Sequence, residues 1–89
     1  MQIRKVSIVN RLGLHARACA QVVRSAARFR ARVSLEVAGR CANARSIVAV
    51  MLLAAAMGTE VTVMAEGPDE AQAIEAIVTL FYDGFGERD

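Results

Sequence analysis

Alternation of apolar and polar residues marks the chain at two places. Val33, Leu35 and Val37 alternate with Ser34 and Glu36, and Val61, Val63 and Ala65 share one side of the stretch from Thr59 to Glu66. A period of two puts such residues on one face of a half-buried strand. Residues 3–9 alternate more loosely, with Val6 and Ile8 together, and predict a further strand. Ala38-Gly39 is a short turn into another strand near Arg40 to Ala42, which makes a hairpin.

Elsewhere the period is helical. Ala16, Ala20, Val23 and Ala27 recur at intervals of four, three and four, predicting an amphipathic helix with these residues inward. Arg17, Gln21, Arg24 and Arg28 carry the same spacing and form a basic stripe on the opposite side. Ser46 is a favoured N-cap before the apolar residues Ile47 to Leu53, and Gly58 ends this second helix. It is apolar on nearly every side, so it is either wholly buried or offers part of its surface to a partner. The general burial of aliphatic residues puts Ile47, Val48 and Met51 partly in the core. Gly67-Pro68-Asp69 breaks the preceding strand and caps a third helix, in which Ile74, Ile77, Val78 and Phe81 form the inward stripe and which Gly84 ends.

The order is βαββαβα. Four short strands and three helices, each with one apolar face, make an α+β two-layer sandwich with the helices on one side of the sheet. The hairpin requires the sheet to be at least partly antiparallel. Eighty-nine residues suit a single domain spanning 1–89, and 55% hydrophobic against 22% charged residues exclude a disordered tail. The core must be aliphatic, because the chain has no Trp, one Tyr and three Phe.

Charge adds an asymmetry. The formal net charge is only +2, yet Arg11, Arg17, Arg24, Arg28, Arg30, Arg32, Arg40 and Arg45 fall in the first half and most acids between Glu60 and Asp89. A basic face of this kind attracts an acidic partner or a phosphate. The longest apolar run, Ile47 to Met57, is far below the roughly 20 residues of a bilayer span, so membrane insertion is not expected. No signal segment is apparent. Cys19 and Cys41 lack metal-ligand spacing, and with one histidine they supply no ligand set; no metal and no cofactor are expected. Reduced thiols and a cytoplasmic location follow.

The candidate chemistry lies in Gly13-Leu14-His15-Ala16-Arg17, which holds the single histidine. Neutral imidazole is available as a nucleophile near neutral pH. It stands where a helix begins, and helix N-termini favour anions through their unpaired N–H groups and dipole. Arg17 adds charge-assisted hydrogen bonds. Nucleophile, cation and helix end together suit a covalently held phosphate.

This pentapeptide resembles the active-centre signature of the HPr family, the histidine-containing phosphocarriers of the bacterial phosphotransferase system. Asn43-Ala44-Arg45-Ser46-Ile47-Val48-Ala49-Val50-Met51 resembles the family's second signature, around its regulatory serine. The spacing between the two agrees without gaps, and the similarity runs from about residue 2 to about residue 85. The resemblance implies an open-faced sandwich on a four-stranded antiparallel sheet. It implies a non-enzymatic carrier, acting as a monomer, that accepts a phosphoryl group from enzyme I on Nδ1 of His15 and passes it to IIA proteins, with Arg17 as electrostatic partner. It further implies regulation at Ser46 by an HPr kinase/phosphorylase, as in some bacteria, while capping alone also accounts for a serine there. A docking surface of Leu14, Arg24, Arg28, Arg45, Ile47, Val48 and Met51 is expected around these sites.

The chain also departs from the family. Ala18 stands where proline is common, Cys19 where a small residue is usual, Arg45 where lysine is common, and Ala27 and Ala49 where some members carry basic residues. Cys19 near a helix N-terminus could be a redox thiol, but a small buried side chain is the stronger reading. Two other functions compete: a nitrogen-branch carrier serving a regulatory IIA protein, and a small RNA-binding module. The second is disfavoured because the strands lack the aromatics on which bases stack.

Overall fold

A computed structural model describes residues 1–87. The chain runs through β1 (Gln2–Ser7), α1 (Ala16–Ala26), β2 (Arg32–Val37), β3 (Arg40–Asn43), α2 (Ile47–Leu52), β4 (Glu60–Glu66) and α3 (Glu70–Tyr82), and ends in a short 3-10 turn over Gly84–Gly86. The four strands form one sheet in the order β1-β4-β2-β3, every neighbouring pair antiparallel. The three helices cover one face. The open-faced βαββαβα sandwich is therefore the observed architecture.

Alternation sets the faces as expected. Val6, Val33, Leu35, Val37, Val61, Val63 and Ala65 are buried under the helices, and Ile8 extends the β1 row by exchanging backbone hydrogen bonds with Gly58 and Thr59. The inward stripe of α3, Ile74, Ile77, Val78 and Phe81, is also buried. The open face is mixed, with Glu36, Glu60 and Glu66 beside Lys5, Arg32, Thr62 and the apolar pair Ile3 and Met64.

Three expectations about the helices are corrected. The inward face of α1 is Ala18, Cys19, Val22 and Ala26, whereas Ala16 and Ala27 are exposed and Ala20 and Val23 half-buried. Alanines occur all round this helix, and their small apolar area lets either stripe pass as the apolar one. Second, α2 stops at Leu52 rather than near Gly58, because Ala54 takes a left-handed backbone conformation (φ 51°) that ends the helix. Only Val50 of α2 is fully buried, so Ile47, Val48 and Met51 are surface residues. Third, Asp69 occupies the N-cap position of α3 but makes no side-chain cap. Its carboxylate instead accepts from the backbone N–H groups of Arg30 (3.0 Å) and Ala31 (2.8 Å), tying the turn before β2 to the start of α3.

Candidate functional site

The loop from Asn10 to Leu14 delivers His15 to the start of α1. Its shape depends on Gly13, which sits at φ +66°, where a Cβ would meet the Ala55 carbonyl oxygen at 2.5 Å. No side chain fits there. Leu14 then donates its N–H to that same Ala55 oxygen at 2.9 Å and buries its side chain to 6% exposure. The expectation of Leu14 in a docking surface is corrected accordingly: it anchors the loop in the core. Beneath the first turn of α1, the Cys19 thiol donates to the Leu14 carbonyl at 3.4 Å. Burial pushes that thiol up, which disfavours the thiolate a redox role requires.

His15 is the N-cap of α1 in extended conformation, and its side chain makes no capping bond. The first N–H groups of an α-helix have no intrahelical acceptor, and the first turn of this one carries no acid. The imidazole, 27% exposed, turns its Nε2 toward the Glu87 carboxylate, which accepts the hydrogen bond. That leaves Nδ1 as the ring atom free of this contact. Arg17 is exposed on the first turn of α1, and its positive charge reaches Glu87.

Two site residues escaped the sequence reading. Asn10 is 3% exposed, and its Nδ2 donates to the Gly13 carbonyl and to Glu87 Oε1, both at 2.9 Å. With the Asn10 amide first and His15 and Arg17 adding, these groups hold the Glu87 carboxyl below the usual carboxylate range, against the opposing effect of burial. A buried asparagine at the head of a loop carries a weak signal in its polarity alone. Glu87 carries none, because nothing local to residues 84–87 marks it as a neighbour of residue 15.

Ser46 is exposed at the start of α2. Its Oγ accepts from the Ala49 N–H at 3.3 Å, so it caps the helix as its residue type predicts. Beyond it Ile47, Val48, Met51 and Leu52 stand 40%, 63%, 43% and 65% exposed and form a continuous apolar surface. Arg24 and Arg28 line a shallow hollow with Gln21, Ser25 and Leu80 on the flank of α1, and the Arg28 guanidinium lies 5.8 Å from the Phe29 ring centroid. The Arg45 guanidinium donates to the Phe29 carbonyl. Arg24 and Arg28 thus lie on the α3 side of α1, and Arg45 lines a second hollow with Arg30, Arg32 and Asn43 beside β2 and β3.

Fold and site thus define a small open-faced α+β domain with a half-buried histidine at the start of a helix. The family model described as "PTS HPr component phosphorylation site" matches residues 3–83. The phosphocarrier protein HPr of Cupriavidus necator is 44% identical over 84 residues, 94% of each chain. That of Treponema pallidum is 41% identical and covers 99% of this chain and 100% of its own. Among solved structures, HPr-C-His from Thermoanaerobacter tengcongensis superposes with a TM-score of 0.95 at 38% identity over the whole of both chains. Crh of Bacillus subtilis, described as a catabolite repression protein forming a swapped dimer, gives a TM-score of 0.76 at 40% identity over 94% of this chain and 97% of its own. The chain belongs to the HPr family, the phosphocarriers of the phosphotransferase system.

Proposed function

We propose that His15 carries the phosphoryl group, on Nδ1, receiving it from enzyme I and yielding it to IIA proteins. The observation that carries this reading is the uncapped start of α1: an extended N-cap histidine, no acid in the first turn, and Arg17 beside it. The Nδ1 lone pair attacks phosphorus as the donor's bond to phosphorus breaks, and the electron pair of that bond stays on the donor. Arg17 and the first N–H groups of α1 receive the phosphoryl oxygens. Little covalent work is needed, since phosphoryl transfer depends mainly on positioning and charge stabilisation. The chain is thus a protein substrate without turnover of its own, working as a monomer in the cytoplasm. No helix among the described residues is long and apolar enough to cross a membrane.

Incubation with phosphoenolpyruvate and enzyme I should place an acid-labile phosphate on the chain, and His15→Ala should abolish it completely. Label retained in that variant overturns the reading. Transfer from the labelled protein to a sugar-specific IIA domain or to a regulatory IIA protein then distinguishes the sugar branch from the nitrogen branch.

Ser46 is a second site in this proposal, phosphorylated by an ATP-dependent kinase. Its exposure at a helix N-cap supports the assignment, because that position accepts the added negative charge without loss of the fold. Ile47, Val48 and Met51 form the apolar centre onto which partners dock, and Arg24, Arg28 and Arg45 supply the basic charge that attracts them. Mass spectrometry after treatment with cell extract and ATP should find the phosphate on Ser46 and not on Ser46→Ala.

A further inference from the structure

The end of the chain is built to bring Glu87 to His15. Gly84, Phe85 and Gly86 all take left-handed backbone angles (φ 60°, 58° and 74°), which reverse the chain after α3. Phe85 is 3% exposed and packs edge-on against Phe81 with ring centroids 5.0 Å apart. The Phe85 carbonyl accepts from Gln21 Nε2 at 3.2 Å, which ties the hook to α1. A non-glycine residue in this region is strained, so the hook persists because the core holds Phe85.

At its tip both oxygens of one carboxylate are used. Glu87 Oε1 accepts from Asn10 Nδ2 at 2.9 Å, and Oε2 accepts from His15 Nε2. The orientation of the Asn10 amide is forced, since both of its neighbours are acceptors: the Gly13 carbonyl and Glu87. Among the described residues its buried Oδ1 has no partner. A buried oxygen without a partner is unfavourable. The fold retains it where turning the amide over would place that oxygen against both acceptors.

We propose that Glu87 is a positioning residue for phosphoryl transfer, holding the His15 imidazole as its Nε2–H tautomer so that the lone pair lies on Nδ1. The inference rests on the reading that Nδ1 receives the phosphoryl group. A neutral imidazole has one N–H, and an ionised carboxylate only accepts. The hydrogen bond at one ring nitrogen therefore decides which nitrogen is the nucleophile. During transfer no proton moves. The Nδ1–P bond forms from the ring's lone pair, the donor keeps the pair of the bond that breaks, and the ring becomes a cation with its Nε2–H still on Glu87. The carboxylate balances that charge, and it does so again until the Nδ1–P pair returns to the ring on delivery. Glu87 lies beyond the residues matched by the family model, which end at 83.

The test uses the full chain with 15N-labelled histidine, and Glu87→Ala, Glu87→Gln and His15→Ala variants. At pH about 8.5, where free imidazole is neutral, the wild-type ring nitrogens should show Nε2 protonated and Nδ1 bare. Glu87→Ala should move both nitrogen shifts toward those of free histidine, and Glu87→Gln, which keeps an acceptor oxygen, should move them less. With enzyme I and phosphoenolpyruvate, Glu87→Ala should lower kcat about tenfold, the low end of what loss of an outer-shell partner costs at a metal-bound histidine, with KM unchanged. Glu87→Gln should fall between. Unchanged nitrogen shifts overturn the proposal, and so does an unchanged kcat or an effect confined to KM. His15→Ala separates the two levels of inference: label surviving there removes the Nδ1 reading itself, whereas label lost there with Glu87→Ala behaving as wild type removes only the role of Glu87.

Discussion

Two helices of this protein begin at the residues proposed as phosphate carriers, half-buried His15 and exposed Ser46, and they begin differently. At α1 the N-cap His15 makes no bond to the helix, and its ring is turned to Glu87. At α2 the N-cap Ser46 bonds its own Ala49 N–H. The N-cap side chain of the first start satisfies none of the helix N–H groups; that of the second satisfies one. The α1 helix is 11 residues long and supported by a loop locked to the core, whereas α2 is 6 residues and mostly apolar surface. A carrier needs the first arrangement, where phosphate comes and goes without unmaking a cap. A stable modification site tolerates the second, where phosphate takes over the capping role.

Gly13→Ala should break the comparison most sharply, because it attacks only the α1 side. It forces a Cβ against the Ala55 carbonyl and a side chain into a left-handed conformation. A loss of about 2 kcal/mol or more in urea unfolding is expected, together with slower phosphorylation of His15. An unchanged melt would mean that the loop is not locked as described.

Ser46→Ala addresses the α2 side and should cost about 1 kcal/mol by loss of the cap, while leaving phosphorylation of His15 intact. Ser46→Asp should recover that stability, since aspartate caps as well as serine, yet raise the KM for enzyme I by placing a negative charge in the docking surface. Equal kinetics for the two variants would separate Ser46 from docking altogether.

The smallest expected effect is on acidification. Asp69 is held below the usual carboxylate range chiefly by the Arg30 N–H, Glu70 chiefly by the Gly67 N–H, and Glu87 chiefly by the Asn10 amide. A carboxyl with a depressed folded pKa contributes stability that is complete above its ordinary value of about 4. That contribution is lost as pH falls through the lower folded value. The melting temperature should therefore drop between pH 5 and pH 2, and Asp69→Asn should flatten the drop. Acid should also release His15 from Glu87 while the Ser46 cap, which holds no titrating group, stays in place; histidine and Ala49 amide NMR signals read the two ends separately.

Much of the fold could be read along the chain, and the errors share a cause. The strand rows Val33-Leu35-Val37 and Val61-Val63-Ala65 and the α3 stripe were clear because large aliphatic side chains alternate there with polar ones. The face of α1 was misread because alanine buries too little area to label a side. Leu14 was assigned to the surface by its place in the motif, yet the backbone bond to Ala55 turns it inward. Ile47, Val48 and Met51 were expected partly inside, and a six-residue helix that packs on the core through Val50 and Ala49 leaves them 40%, 63% and 43% exposed.

The sequence by itself determined the element order, the sheet faces and the pairing of a nucleophile with a helix start, because each rests on residues near one another along the chain. Only the tertiary structure decided what stands against that nucleophile. Asn10 and Glu87 meet at His15 across a separation of 77 residues, and no local periodicity encodes such a meeting. It follows from a left-handed hook seated on the core and from an amide with two acceptors to serve.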